Sequence, residues 1–458
     1  MKLEEASGQT VIQQSAEFPR GLHNAFWFAG FNALSYQIVL SSPMILYAKS
    51  LGASATVLGI VAAMMPLLVI FQIPAASYIP RVGYKRFVYA GWGIRVLFIF
   101  CMALVPLLSS FVDATARLSL ILLFLFGFNL SRGISSCAWL PWISSLVPPP
   151  VRGRFLTIDA AWVNCGSFVT IIFAALCLGR SPAAWQFSIL FAFSAVAGAV
   201  SLIFLKRIPE AETPEQGRTS TTRVPWREIA NYSPFRKLLR MIVGWAFASG
   251  GITTFTVAFM KVETNLPEGT ILLLTSTAFI GGLCSLWFLG PRLDRLGSKP
   301  ILIFSFFTYI VILGGWFGMA SRLLHPDLAL ICFLQFLTGL AAALVGMANT
   351  RLAMAIIPQM GRNHFFALYS VVANLTLGIS PIVWGLFIDF FRPVSGSWMG
   401  IEWSRYTIVF LVMAICFVLT IVLSRRLHEP EAASFEQLLR EILIESPQRV
   451  WVRLWPRF

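Results

Sequence analysis

Apolar residues run through this chain in long blocks, with neither the alternation of a half-buried strand nor the three-and-four spacing of a helix that keeps one face wet. Twelve blocks stand out, at about 24–48, 54–79, 87–108, 118–146, 155–178, 185–205, 238–260, 270–290, 300–320, 328–357, 365–390 and 405–424. Crossing a bilayer core of about 30 Å takes about 20 apolar helical residues, and every block reaches that length. The fold class predicted is an all-α membrane protein of twelve transmembrane helices. The longest hydrophilic interval between blocks, 206–237, divides them six and six. That predicts an N-tail over 1–23, a six-helix bundle over 24–205, a linker over 206–237, a second six-helix bundle over 238–424 and a C-tail over 425–458.

Charge then orients the chain. Only 12% of the residues are charged, yet the formal net charge is +15, a value that in a soluble protein would suggest nucleic acid. Twelve apolar blocks serve no such partner, so no nucleic acid is expected and the basic residues are read as topology signals. An even number of spans puts both termini on one side. The four short loops on that side carry nine Lys and Arg against seven in the six loops opposite, which predicts cytoplasmic termini and residence in the plasma (inner) membrane. The N-tail "MKLEEASGQTVIQQSAEFPRGLHN" lacks the pattern of a cleaved signal peptide. All seven cysteines lie inside apolar blocks without paired spacing, and the four histidines are scattered; no metal site and no cofactor are expected.

The two halves resemble each other. "ASYIPRVGYKR" (76–86) follows the second block and "GPRLDRLGSKP" (290–300) follows the eighth, pairing Arg81 with Arg295, Gly83 with Gly297 and Lys85 with Lys299. "VPPPVRGRF" (147–155) and "IPQMGRNHF" (357–365) pair Arg152 with Arg362 and Phe155 with Phe365, and the same offset pairs Asn164 with Asn374. Internal repeats of this kind mark secondary transporters.

On these residues the sequence resembles the major facilitator superfamily. That family's loop signature is complete in the second half, at Gly290, Asp294, Arg295, Gly297 and Lys299, whereas in the first half Ala76 and Pro80 stand where Gly and Asp are usual. The resemblance implies two six-helix bundles that rock to open a central cavity alternately to each side, a monomer, and a cavity lined by the first, fourth, seventh and tenth helices. It also implies that the signature loops help close the cytoplasmic face, with Asp294 as an acidic gate residue; Arg81, Gly83, Arg295 and Lys299 fit equally a solvated, positive-inside loop.

Charges inside the spans are the next clue, because an unpaired one costs at least about 2.5 kcal/mol. Arg132 falls near the middle of the fourth block, and Asn129, Arg132, Ser135, Ser136 and Trp139 lie on one helical face. That stripe is expected to face the cavity; the competing reading buries Arg132 against backbone carbonyls or Asp159. Asp159, in the fifth block, is the candidate for ion coupling, and Arg95, in the third, is read as structural or as its partner. Arg351, near the end of the tenth block, is read as a latch residue toward Asp294. Polar stripes on the remaining cavity helices are Asn32 and Ser35; Ser249, Thr253 and Thr256; and Gln335, Thr338 and Asn349, with Asn164 and Asn374 at the cavity edge. Small polar residues also join helices, so the coincidence on four helices carries this reading.

A mid-membrane arginine suits a carboxylate or phosphate, so the sequence predicts transport of a small anionic solute by a non-enzymatic protein in contact with membrane lipid. An aromatic content of 14% leaves extrusion of hydrophobic compounds as the alternative. A receptor or membrane enzyme is disfavoured: no Ser-His-Asp arrangement, His and carboxylate cluster or Walker loop is present. The C-tail, with Phe435, Leu438, Leu439, Ile442 and Leu443 on one helical face before "RVWVRLWPRF", is expected to lie on the cytoplasmic leaflet.

Overall fold

The computed structural model describes residues 18–147, 152–210, 232–289, 297–356, 362–398, 400–427 and 429. Among these, eleven helices are long and apolar enough to cross a membrane. The remaining predicted span, the first, is built of two helices, α1 (His23–Leu40) and α2 (Ser42–Ser50). The break falls at Ser41, whose backbone is extended, with Pro43 in the first turn of α2. Proline has no N–H to give, so a helix restarts there more readily than it continues.

The second span shows the same chemistry more strongly. Pro66, Pro74 and Pro80 fall within a short stretch, and the helix divides into α3 (Ala55–Leu68), α4 (Gln72–Ala75) and α5 (Ile79–Val82) with 3-10 turns between. The rest of the first half comprises α6 (Tyr84–Leu104), which runs on into a 3-10 turn over Val105–Ser110, α7 (Ala114–Leu146), α8 (Arg152–Leu178) and α9 (Ala184–Arg207). In the second half the seventh span is α10 (Ser233–Ser249) and α11 (Ile252–Val262), parted at Gly250 and Gly251. There follow α12 (Glu268–Leu289), α13 (Ser298–Ala320), α14 (Leu328–Ile356), α15 (Arg362–Phe390), a short hairpin β1 (Ser395–Trp398) and β2 (Ile401–Ser404), and α16 (Arg405–Arg425).

The chain forms two compact units, one of Met1–Thr222 with Thr253–Leu273 and the other of Arg223–Ile252 with Leu274–Phe458. This division sends most of α11 and the start of α12 to the first unit, where the sequence had assigned them to the second bundle. In that unit Gly269 N–H donates to the Gly179 carbonyl at 2.8 Å, and a Cβ on Gly269 would lie 2.6 Å from the carbonyl oxygens of both Ala175 and Gly179. Lys261 and the buried Glu268 pair at 2.6 Å across the turn between α11 and α12.

Glycine lets helices meet backbone to backbone in both units. A Cβ on Gly133 of α7 would collide with the Leu68 carbonyl of α3, and one on Gly339 of α14 with the Ala278 carbonyl of α12. The first unit's core at its linker end combines Phe26, Phe28, Tyr84, Trp92, Trp142 and Phe155. Trp142 completes it by donating its indole N–H to the Pro209 carbonyl at 3.0 Å.

Candidate functional site

Within the first unit, α1, α6, α7 and α8 enclose a cavity of about 240 Å³ lined by Phe28, Ala29, Asn32, Tyr36, Trp92, Arg95, Arg132, Ser136, Trp139, Asp159 and Val163. Three of its charged groups come from three different helices and none is paired with another. Among the described residues the ion pairs are Lys261–Glu268, Arg322–Glu402 and Arg351–Glu429. Arg132 thus lines the cavity without an acidic partner among the described residues, and the predicted alternative of an Arg132–Asp159 pair is not formed. Asp159 carries a buried Oδ1 with no hydrogen-bond partner. In such surroundings an unmet polar group costs about 1–3 kcal/mol, so this oxygen favours a solute or water that completes its bonding.

Arg95 is held more tightly. It is 3% exposed, stacks over Trp92 at 4.7 Å and Phe128 at 4.9 Å, and donates through Nη2 to Asn32 Oδ1 at 3.5 Å. Trp92 donates to the same oxygen at 3.2 Å, so Asn32 is fixed by two donors. Its polar partner is Asn32, and no Arg95–Asp159 pair is formed among the described residues.

The predicted stripes are only partly brought together. On α7, Arg132, Ser136 and Trp139 line the cavity, whereas Asn129 is 1% exposed and bonds to the Leu125 carbonyl. Ser135 bonds back to Ser131 and abuts Gly91 of α6. On α1, Ser35 turns away from the cavity: it packs against Gly198 of α9, and Ser194 donates to its carbonyl at 2.6 Å. The cavity face of α1 continues through Tyr36 instead. Sequence reasoning missed Tyr36 and Trp92; the spacing Phe28, Asn32, Tyr36 at four-residue steps is the signal that would have found Tyr36.

Asn164 and Asn374, the repeat pair, behave alike: each donates its amide to the carbonyl four residues back, of Ala160 and Ser370, at 2.8 Å. Ser249, Thr256 and Thr338 also bond to carbonyls of their own helices. Thr253 is exposed. Gln335 and Asn349 are buried, the latter with an unpartnered Oδ1.

Of the signature loop, Gly290, Asp294 and Arg295 lie outside the described residues. The flanking glycines explain their own repetition. Gly83 and Gly297 precede α6 and α13 with φ of +87° and +83°, a conformation that side chains disfavour. At α13 the helix N-terminus is closed by Glu429: its carboxylate accepts from Ser298 N–H at 3.0 Å and Lys299 N–H at 2.7 Å and pairs with Arg351 at 3.3 Å. Lys299 in turn donates its ammonium to the Arg425 and Leu427 carbonyls ending α16. Among the described residues Arg351 pairs with Glu429; the predicted latch toward Asp294 lies outside them. In the first unit Glu210 holds the equivalent position, its Oε1 lying 3.4 Å from where a Cβ on Gly83 would be. The signal for both acids was the repeat "RIPE" (207–210) and "RLHE" (426–429) directly after the sixth and twelfth spans.

Comparison with known proteins agrees with this architecture. The family model described as Major Facilitator Superfamily matches residues 25–267 and again 246–456. No curated protein sequence matches the chain. Among solved structures, a variant of the nucleoside transporter NupG superposes with a TM-score of 0.69 at 12% identity, covering 90% of this chain and 100% of that one. A D-xylose–proton symporter gives 0.67 at 13%, covering 89% and 97%. The inward-open xylose transporter XylE from E. coli gives 0.65 at 13%, covering 91% and 98%. At such identities these likenesses speak for fold alone. With the family model matched in both halves of the chain, on a scaffold of membrane-length helices, this protein belongs to the major facilitator superfamily of membrane transporters.

Proposed function

We propose that this transporter carries a small organic anion by alternating access, and that the cavity of the first unit binds it. The observation that supports this most strongly is Arg132, a membrane-embedded guanidinium that lines a cavity with no acidic partner among the described residues. A planar guanidinium matches a carboxylate or phosphate in two parallel bonds, and a pocket whose charged groups are two arginines and one aspartate favours an anion. Trp92, Trp139 and Phe28 give the solute's apolar part a surface, while Asn32 and Tyr36 give its hydroxyl or carbonyl groups partners. Asp159, with its unmet Oδ1, serves as the group that takes up a coupling proton or meets a donor on the solute. Both termini are cytoplasmic in this reading, which the bias of basic residues among the loops supports, and the protein works as a monomer in the plasma membrane.

A second reading, extrusion of hydrophobic compounds, draws support from a separate apolar cavity of about 230 Å³ between α1 and α8, lined by Trp27, Phe31, Leu34, Trp162 and Val169 among others. One experiment separates the two. The purified full-length protein is melted in the presence of carboxylates, organic phosphates, neutral sugars, nucleosides and lipophilic cations. A ligand that binds the native state at 100 times its Kd adds about 2.7 kcal/mol of stability. The anion reading expects stabilisation by carboxylates or phosphates that disappears in Arg132→Ala. Stabilisation by sugars, nucleosides or lipophilic cations alone contradicts it.

A further inference from the structure

A second cavity of the first unit, of about 260 Å³, is lined by Lys85, Arg86, Tyr89, Lys206 and Glu210. Lys85 and Arg86 stand in the first turn of α6 and Lys206 in the last turn of α9, two helices that pack side by side. Cations at the end of α9 suit its dipole, but cations at the start of α6 oppose theirs. Among the described residues, three positive groups line this cavity against one acid, Glu210, and no ion pair involves Lys85, Arg86 or Lys206. Such a set attracts an anion.

The surface leading from this cavity says which kind. Along α6, Arg86, Tyr89, Gly93, Leu97 and Phe100 share one helical face, on which Leu97 is 60% exposed. A Cβ on Gly93 would meet nothing within 4 Å. Along α9, Lys206, Ile203, Ala199 and Val196 form the matching exposed face, Ile203 being 51% exposed. Both helices are membrane-length, so these faces lie against acyl chains while the cations sit at headgroup depth, where basic side chains are favoured. Small residues, Gly93 and Ala199, leave the face shallow between the larger side chains.

We propose that the α6–α9 face binds one anionic phospholipid, its phosphate held by Lys85, Arg86 and Lys206 and one acyl chain laid over Gly93 and Ala199.

The test uses the purified full-length protein in micelles doped with equal phosphatidylglycerol and phosphatidylcholine, with retained lipid counted by native mass spectrometry. The expected result is one phosphatidylglycerol held in preference to phosphatidylcholine. Removing a cation should weaken that retention about five-fold, and the double variant Lys85→Gln/Lys206→Gln about twenty-fold, while Arg322→Gln, at a site remote in sequence, leaves it unchanged. A second variant, Gly93→Phe, keeps every cation and fills open space, and it should also release the lipid. Equal retention of both lipids, wild-type retention in the double variant, or displacement by inorganic phosphate at the lipid's own concentration would each overturn the proposal.

Discussion

Glu429→Gln removes one negative charge from a point where three helices are tied together. In the native chain its carboxylate, 5% exposed, takes two backbone N–H groups of α13 and one guanidinium of α14. An anion at a partly buried helix N-terminus contributes up to about 2 kcal/mol. The Arg351 pair adds to this, though Arg351 is 30% exposed and water screens it, which holds its share to about 1 kcal/mol. The glutamine oxygen still accepts one N–H, so the net loss expected is about 2–3 kcal/mol. If the second unit melts as a block of roughly 200 residues, each kcal/mol moves Tm by about 2–4 °C, giving a fall of about 4–12 °C. Intrinsic fluorescence during thermal melting of the purified protein reads this directly. A double-mutant cycle with Arg351→Gln isolates the pair, with an expected coupling of at least about 0.5 kcal/mol. A Tm within one degree of the parent (about 0.3–0.5 kcal/mol), or strict additivity in the cycle, would refute the idea that this carboxylate clamps α13 to α14.

Other outcomes follow from the same geometry. Gly297→Ala forces a side chain into φ of +83° and should cost about 1–2 kcal/mol, read as a lower Tm, with Gly83→Ala behaving alike. Gly339→Leu, which drives a side chain into the Ala278 carbonyl, should abolish the folded peak in size-exclusion chromatography, whereas Gly346→Leu, where a Cβ meets nothing within 4 Å, should elute as the parent does. Tyr36→Phe deletes a hydroxyl that lines the cavity and should raise KM for uptake several-fold with Tm nearly unchanged; a Tm loss without a KM change would make that hydroxyl structural.

The membrane-length spans were legible because a bilayer demands length and apolarity, which the sequence displays residue by residue. The breaks at Ser41 and at Pro66, Pro74 and Pro80 were legible only in part, since proline marks where a helix weakens and not whether tertiary packing carries it through. Arg132, Asn32 and Asp159, which line one cavity, stood out in the sequence because a charge or amide inside a span is rare. Ser35 and Asn129 were misdirected by the same rule: a small polar residue on a helix is satisfied by its own backbone or by a neighbour as readily as by a solute, and only packing decides. Tyr36 and Trp92 escaped notice because aromatic residues are ordinary in a membrane span. Glu429 escaped because its partners lie about 80 and 130 residues away, Arg351 on α14 and Ser298 and Lys299 at the start of α13.

The central claim is that Arg132 recognises a negatively charged solute. The most direct measurement is uptake into proteoliposomes of whichever anion stabilises the protein, compared among the parent, Arg132→Lys and Arg132→Ala. Losing the paired geometry while keeping the charge should raise KM for Arg132→Lys, and Arg132→Ala should lose about a hundred-fold or more in kcat/KM, the scale of a 3 kcal/mol contact with a charged partner. Uptake of the anion by Arg132→Ala at the parent rate would contradict the account.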